Sequence, residues 1–198
     1  VVVPSNPSDA AGLMLSAIDS SGPVVYLEHK LLSDYWLDYL GTGGRGCLPI
    51  EVPASGARGE VDLPLESVPL GTARVALEGG DLTVLTLGVS VHRALEAAKV
   101  LALDGIRPKV IDLRSVSPLD VKAVVEGAGA TGRVLVVDED YLGFGLSGEL
   151  AAVIAEAGVE TRFARVATEG TIPYAPDMEA RALPNIERIV EAARELAR

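Results

Sequence analysis

Apolar and polar residues follow one another in short blocks that are typical of strands alternating with helices. Short apolar runs predict five strands, at residues 73–77, 82–87, 109–112, 133–138 and 162–166. Longer segments with apolar residues three and four positions apart predict helices at 90–104, 118–127, 145–157 and 185–197. Nearly continuous apolar strands between helices indicate a mainly parallel sheet covered on both faces. The predicted class is therefore α/β, with three layers in the order α/β/α.

The first 30 residues form a separate block of the same kind. Residues 1–3 and 24–27 are apolar and rich in valine, and a helix is predicted between them at 9–18, so the block looks like one βαβ unit. A strand cannot be stable without neighbours. We therefore expect sheet partners for residues 1–3 upstream of Val1 or in another chain.

Residues 31–70 show no regular periodicity and are punctuated by glycine, proline and serine. Three aromatic residues, Tyr35, Trp36 and Tyr39, lie in this stretch. At about 40 residues it is too long for an ordinary connecting loop. We interpret it as a linker that packs on a surface through its aromatic side chains.

Composition and charge narrow the function classes. Apolar residues make up 48% of the chain and charged residues 23%, and the net charge is −11 with no basic block. An acidic chain of this kind is poorly suited to nucleic acid or to an anionic membrane surface. No apolar run approaches the roughly 18 residues of a membrane span. The single cysteine, Cys47, excludes an intrachain disulfide and fits the reducing cytoplasm.

Two glycine-rich segments match the spacing of a dinucleotide-binding loop. The first, Gly41-Thr42-Gly43-Gly44-Arg45-Gly46, is followed by Cys47-Leu48-Pro49 and opens no helix, so we interpret it as part of the linker. The second, Gly143-Phe144-Gly145-Leu146-Ser147-Gly148, does precede a predicted helix. It begins five residues after the predicted strand and follows three acids that would repel a pyrophosphate, so a tight helix entry is the favoured interpretation.

Other residues with catalytic potential lie near the ends of predicted strands. Gly88-Val89-Ser90-Val91-His92 resembles a nucleophile elbow without its last glycine, and we expect Ser90 to cap a helix and His92 to make a local hydrogen bond. Asp138, Glu139 and Asp140 could form an acid–base or metal site, but consecutive residues of a strand face apart, so a solvated strand end is favoured. The residues alone establish no complete catalytic set.

Several segments together resemble one known family, the beta subunits of thiamine-diphosphate-dependent 2-oxo acid dehydrogenases. The matching segments follow in order along nearly the whole chain: Val2-Val3-Pro4-Ser5-Asn6-Pro7, Leu27-Glu28-His29-Lys30, Val68-Pro69-Leu70-Gly71, Ile111-Asp112-Leu113-Arg114, Val136-Val137-Asp138-Glu139 and Ile172-Pro173-Tyr174-Ala175-Pro176. The second and fourth of these favour the dehydrogenases over transketolase or deoxyxylulose-phosphate synthase.

The resemblance implies a domain organisation and a function. Residues 1–30 would end a pyrimidine-binding domain, 31–70 would be a linker longer than in the relatives, and 71–198 would be a transketolase-type C-terminal domain. That domain has a five-stranded sheet whose first strand runs antiparallel to the others. The complete enzyme decarboxylates a 2-oxo acid with thiamine diphosphate and magnesium and passes the acyl group to lipoyl-lysine. The implied partners are an alpha subunit, a second beta subunit and the lipoyl acyltransferase core.

The resemblance transfers no catalytic or cofactor-binding residue, so the chain alone is expected to be inactive. It does transfer a potassium site built from main-chain carbonyls, at Ala17, Ile18, Ser20 and Gly22, where a helix ends and exposes oxygens that suit a hard cation. It also suggests that an acidic surface around Glu160, Glu191 and the terminal carboxylate of Arg198 docks a basic domain of the acyltransferase core.

Two other functions stay open at this point. The chain could be the C-terminal domain of a transketolase or a deoxyxylulose-phosphate synthase. It could also be a free-standing nucleotide-binding module that uses the loop at 143–148. Nothing in the sequence identifies the 2-oxo acid.

Overall fold

The computed structural model describes residues 1–35, 52, 58–61 and 63–198. The N-terminal segment contains helix α1, Pro7–Ile18, which begins two residues earlier than predicted. Proline suits the first helical position because its missing N–H is not needed there. The side chain of Asn6 caps the helix by accepting the N–H of Asp9 at 2.9 Å.

The two short strands predicted around α1 form isolated bridges and not full strands. Val2 bridges Tyr26 in the parallel sense and Ser115 in the antiparallel sense. The expectation that the partners of residues 1–3 lie outside the chain is therefore wrong for Val2. Pairing stays this short because the chain turns away into α1 directly after Ser5.

Residues 74–168 form one five-stranded sheet with the strand order β1-β3-β2-β4-β5. The strands are β1 (Arg74–Leu77), β2 (Leu82–Thr86), β3 (Pro108–Asp112), β4 (Arg133–Tyr141) and β5 (Arg162–Thr168). Strand β1 pairs antiparallel with β3, and all other pairs are parallel. The predicted sheet and its one antiparallel strand are confirmed, although β4 continues three residues beyond its predicted end.

Helices cover both faces of the sheet, as the three-layer prediction required. They are α2 (Val89–Leu103), α3 (Val121–Thr131), α4 (Leu146–Glu156), α5 (Pro176–Ala182) and α6 (Ile186–Ala197). Helices α2 and α6 pack with Val84, Val110 and Leu135 on one face. Helices α3 and α4 pack with Leu85, Ile111 and Val136 on the other. Successive strand residues thus enter opposite cores, which explains why the strands are apolar throughout.

Helix starts account for most boundary differences. Helix α3 begins at Val121, not Pro118, because the side chain of Asp120 accepts the N–H of Ala123 at 3.0 Å. Helix α2 begins at Val89 with Gly88 at the N-cap and a φ of 57°, so the expectation that Ser90 caps this helix is wrong. Helix α5 was not predicted.

The linker predicted at 31–70 is described only in part. Trp36 and Tyr39 lie outside the described residues, and Tyr35 is 88% exposed, so that aromatic side chain does not pack as expected. The end of the linker runs along α1, where Val68 N–H donates to the carbonyl of Gly12 at 3.0 Å. A Cβ at Gly12 would lie 2.5 Å from Val68 Cγ2, so only glycine allows this approach. No helix in the described ranges is long and apolar enough to cross a membrane.

Candidate functional site

The N-terminal segment lies over the carboxyl ends of the parallel strands, and charged side chains join the two. Asp112, the last residue of β3, is fully buried and accepts hydrogen bonds from Ser5 Oγ at 2.5 Å and Arg74 Nη2 at 3.2 Å. Asp9 at the start of α1 pairs with Arg74 Nε at 3.2 Å and with Arg114. We call these five residues the Asp112 cluster.

The Asp112 cluster balances two buried carboxylates with two guanidinium groups, of which that of Arg74 is partly exposed. Burial raises the pKa of Asp112, and the Ser5 hydroxyl and the Arg74 charge oppose that rise. Each charge has a partner on the other side of the junction, so the cluster stabilises one arrangement of the N-terminal segment on the sheet.

A second group of charges, the Glu139 cluster, lies at the end of β4. Glu139 accepts from Arg93 Nη1 at 2.5 Å and from His29 Nε2 at 2.7 Å. The N–H of Leu31 donates to His29 Nδ1 at 3.2 Å, so the proton of the neutral ring lies on Nε2 and points to Glu139. Burial alone would raise the pKa of Glu139, but the His29 hydrogen bond and the Arg93 charge together hold that pKa below its ordinary value.

His92 joins the same junction through the backbone. Its Nε2 donates to the carbonyl of Ser5 at 2.5 Å, a contact 87 residues apart in sequence and not the local one expected. No hydrogen bond within the described part of the chain links Ser90 to a base. The arrangement therefore lacks the serine–base contact of a nucleophile elbow.

A cleft of about 260 Å³ opens between the N-terminal segment and the strand ends. Its apolar walls include Val3, Leu27, Leu87 and Leu146, and its polar wall includes the acids Asp138, Glu139 and Asp140. Asp138 is only 9% exposed. The interpretation of residues 138–140 as a solvated strand end is therefore wrong for Asp138 and for the paired Glu139.

The glycine-rich loop at 143–148 connects β4 to α4. Because β4 extends to Tyr141, the first glycine is the second residue after the strand, whereas it was the fifth after the predicted strand end at residue 138. A Cβ at Gly145 would lie 3.1 Å from Asp140 Oδ2, so a carboxylate already lies against this loop. A phosphate there would meet that negative charge, which argues against the nucleotide-binding alternative.

The four positions predicted for potassium follow the end of α1. The carbonyl of Ala17 accepts the N–H of Ser20 at 3.4 Å. The carbonyls of Ile18, Ser20 and Gly22 accept no hydrogen bond from the described residues. Three of the four predicted oxygens are thus available to a cation.

The residues predicted for docking are all on the surface. Glu160 precedes β5, Glu191 lies on α6 and Arg198 follows α6, and all three are exposed. Arg162 donates from its guanidinium to the carbonyls of Glu195 and Leu196 at 3.1 and 3.0 Å. A cation therefore already neutralises the end of α6, close in sequence to Glu160. The lone Cys47 and the glycine segment at 41–46 lie outside the described residues.

Two arginines at the junction were missed by sequence reasoning. Arg74 lies on the edge strand β1, and its position in the sequence pattern does not distinguish it from an ordinary surface arginine. Arg93 lies one turn before Ala97 on the buried face of α2 and is only 6% exposed. A charged residue on an apolar helix face is unusual without a partner, and this feature could have pointed to the site.

Comparison with known proteins gives matches along the chain. The family profile described as the transketolase C-terminal domain matches residues 71–189. The chain is 38% identical to the 2-oxoisovalerate dehydrogenase subunit beta of Bacillus subtilis, over 100% of this chain and 55% of that protein. It is 35% identical to the acetoin:2,6-dichlorophenolindophenol oxidoreductase subunit beta of Cupriavidus necator, over 98% and 52%. It is 36% identical to the pyruvate dehydrogenase E1 component subunit beta of Bacillus subtilis, over 99% and 55%.

The chain thus spans about half the length of the curated relatives it matches. Among solved structures, a split-gene transketolase, described as an inactive beta4 tetramer, has a TM-score of 0.75 and 24% identity over 99% of this chain and 56% of that one. The similarity to this solved structure shows the fold of the chain.

The Glu139 cluster predicts an acid-dependent loss of stability. The variant Glu139→Gln leaves Arg93 buried without a carboxylate, so its free energy of unfolding near pH 7 should fall by about 1–3 kcal/mol. The pKa of Glu139 is lowered by folding, so its contribution is complete above the ordinary value of 4.5 and is lost as pH falls through the lowered pKa. Urea unfolding at about pH 7 and about pH 3.5 measures both.

The deficit of Glu139→Gln relative to wild type should therefore shrink in acid. The matched control is Glu160→Gln, an exposed glutamate outside the junction, with an expected change within about 0.5 kcal/mol at either pH. A deficit of equal size at both pH values would contradict the role assigned to the Glu139 charge.

Proposed function

The chain belongs to the family of transketolase C-terminal domains, and on that premise we propose that it is the C-terminal portion of the beta subunit of a thiamine-diphosphate-dependent 2-oxo acid dehydrogenase. The enzyme oxidatively decarboxylates a 2-oxo acid and transfers the acyl group to lipoyl-lysine. The observation that carries the proposal is the extent of the similarity. It covers residues 1–70 as well, which lie outside the family profile.

The proposed division has three parts: 1–30 as the end of a pyrimidine-binding domain, 31–70 as a linker and 71–198 as the C-terminal domain. Contacts at the junction support it. Segments that resemble the family meet one another there, since Ser5 bonds Asp112 and His29 bonds Glu139. A fixed orientation of the two domains is what these contacts would provide.

In this assignment the described residues of the chain hold neither thiamine diphosphate nor its magnesium. No group of three or more histidine, cysteine, aspartate or glutamate residues in the described ranges is arranged to hold a metal. The cofactor, when bound in the complete enzyme, supplies the carbanion chemistry of decarboxylation. The role of this chain is association with an alpha subunit, a second beta subunit and the acyltransferase core, in the cytoplasm, without nucleic acid or membrane partners.

A transketolase or deoxyxylulose-phosphate synthase C-terminal domain is the second candidate. The fold similarity to a split-gene transketolase favours it, at 24% identity. The dehydrogenase and oxidoreductase beta subunits are 35–38% identical over almost the whole chain. The higher identity over the same length makes the dehydrogenase the better supported function.

An exchange of chain segments tests the proposal. In the Bacillus subtilis 2-oxoisovalerate dehydrogenase subunit beta, the matching C-terminal segment is replaced by this chain, and the hybrid is purified with the alpha subunit of that enzyme. We expect a hybrid that binds the alpha subunit and decarboxylates a 2-oxo acid within about tenfold of the parent rate, because the exchanged part supplies assembly and not the reacting groups.

Two controls accompany this experiment. The same beta subunit ended at the exchange point should neither assemble nor react. The 198-residue chain alone, with thiamine diphosphate and magnesium, should not decarboxylate pyruvate or 2-oxoisovalerate. A folded, dimeric hybrid that fails to bind the alpha subunit would overturn the proposal, and turnover by the chain alone would show that its role is not limited to assembly.

We further propose that the carbonyls of Ala17, Ile18, Ser20 and Gly22 bind potassium in the assembled enzyme. The free oxygens of Ile18, Ser20 and Gly22 at the end of α1 support this, because the partial negative charge of a helix C-terminus attracts a cation. Potassium chloride should therefore raise the unfolding temperature of the hybrid more than sodium or lithium chloride at equal ionic strength. Identical unfolding temperatures in the three salts would argue against the site.

The acidic surface formed by Glu160, Glu191 and the carboxylate of Arg198 is proposed to dock the acyltransferase core. Reversing both glutamates with Glu160→Lys and Glu191→Lys should lower the association rate of the hybrid with that core about tenfold at low salt, because steering of a basic partner is lost. Stopped-flow measurements at several salt concentrations give both the rate and its salt dependence.

The matched control is the double variant Glu126→Lys and Glu149→Lys, exposed glutamates on α3 and α4 across the sheet from α6. It changes net charge equally and should alter the association rate less than about twofold. Equal slowing by both double variants would show an effect of net charge alone. An unchanged rate in the first would remove the docking surface from this face.

A further inference from the structure

The order of the strands creates a crevice at one point of the sheet edge. Strand β2 leads into α2, which covers one face, and its neighbour β4 leads into α4, which covers the other. The segments that follow β2 and β4 therefore leave the sheet toward opposite faces. In open α/β sheets, ligands bind in the crevice that this divergence opens at the carboxyl ends. The cleft described above lies there, between Leu87–Ser90 and Asp138–Asp140.

The negative side of the cleft is an aspartate without a cation. Asp138 Oδ1 accepts the backbone N–H of Asp140 at 3.2 Å, and no ion pair of the described residues includes Asp138. Its neighbour Glu139 has both Arg93 and His29. Burial raises the pKa of Asp138, the negative charges of Asp140 and Glu139 raise it too, and backbone hydrogen bonds at Asp140 and Glu139 oppose that rise. A buried carboxylate of this kind is stabilised by a ligand that brings a positive charge.

The end of β2 and the start of α2 also line the cleft and carry hydrogen-bond donors. Gly88 at the N-cap of α2 provides no side-chain hydrogen bond, so the first N–H groups of this 15-residue helix are not capped by a side chain. Ser90 in the same turn lines the cleft, is 1% exposed and has no hydrogen-bond partner within the described part of the chain. A buried unpaired hydroxyl beside a helix N-terminus favours a negatively charged oxygen of a ligand.

Asp138 would attract a positively charged group, and Ser90 with the start of α2 would attract a negatively charged one. We therefore propose that the cleft binds a small α-amino acid with an apolar side chain. The ammonium group lies against Asp138, the carboxylate lies at Ser90 and the start of α2, and the side chain contacts the apolar wall. The volume of about 260 Å³ suits a ligand of this size and excludes a dinucleotide. This inference does not rest on the proposed function, since it concerns binding to the chain itself.

The test uses the 198-residue chain with L-alanine, L-valine and L-leucine as probes in isothermal titration calorimetry and thermal unfolding. At least one should bind saturably and raise the unfolding temperature. Isobutylamine and 3-methylbutanoate are valine without its carboxylate and without its ammonium group. Each should bind at least about tenfold more weakly than valine, because each leaves one pole of the cleft unpaired.

Two variants and a control identify the site. Asp138→Asn keeps the shape and should weaken binding at least about tenfold, and Ser90→Ala should weaken it about fivefold. Glu156→Gln, exposed at the C-terminal end of α4 and outside the cleft, should leave binding unchanged. If Asp138→Asn does not fold, Ser90→Ala and the two valine analogues still decide the matter. No saturable binding at about 50 mM, binding that both variants leave intact, or analogues as tight as valine would each overturn the proposal.

Discussion

A buried carboxylate at the end of a central strand is the constraint on which the rest of the molecule depends. Asp112 has no contact with solvent, so its charge must be met within the protein, and it is met by Ser5 from the N-terminal segment and Arg74 from β1. Removing one partner from such a cluster leaves an uncompensated buried charge, which typically costs about 3–5 kcal/mol. These contacts therefore stabilise the observed docking of the N-terminal segment on the sheet.

The same junction repeats this principle with different chemistry. Glu139 is shared between Arg93 of α2 and His29 of the N-terminal segment, and the backbone of Leu31 fixes which nitrogen of His29 carries the proton. Val2 adds backbone bridges to both Tyr26 and Ser115. Directional contacts of this kind specify orientation better than apolar packing does, since hydrogen-bond geometry tolerates little displacement.

Local patterns predicted the parts of the fold that local interactions determine. The five strands and the principal helices follow from runs and periods of apolar residues, and all lie within a few residues of their predicted bounds. The observed helix start differs from the predicted one where a single side chain caps the helix, as Asp120 does before α3. The pairing of Glu139 with His29 spans 110 residues, and that of Ser5 with Asp112 spans 107. The spacing of apolar residues carries no information about contacts at such sequence separations. The sequence therefore showed the residues of the junction only as motifs, without their partners.

The junction and the cleft are consequences of one arrangement. The Asp112 and Glu139 clusters hold the N-terminal segment over the strand ends. As a result, Val3 and Leu27 line the cleft at the point where β2 and β4 diverge. Asp138 lines the same cleft, is only 9% exposed and has no cation among the described residues, whereas the neighbouring Glu139 has the Arg93 guanidinium and a hydrogen bond from His29. The described contacts pair the buried acids Asp9 and Asp112 and the half-buried Glu139 with arginines but give none to Asp138, which lies at the edge where α/β sheets bind ligands. The electrostatic imbalance is thus created by the same contacts that hold the fold together.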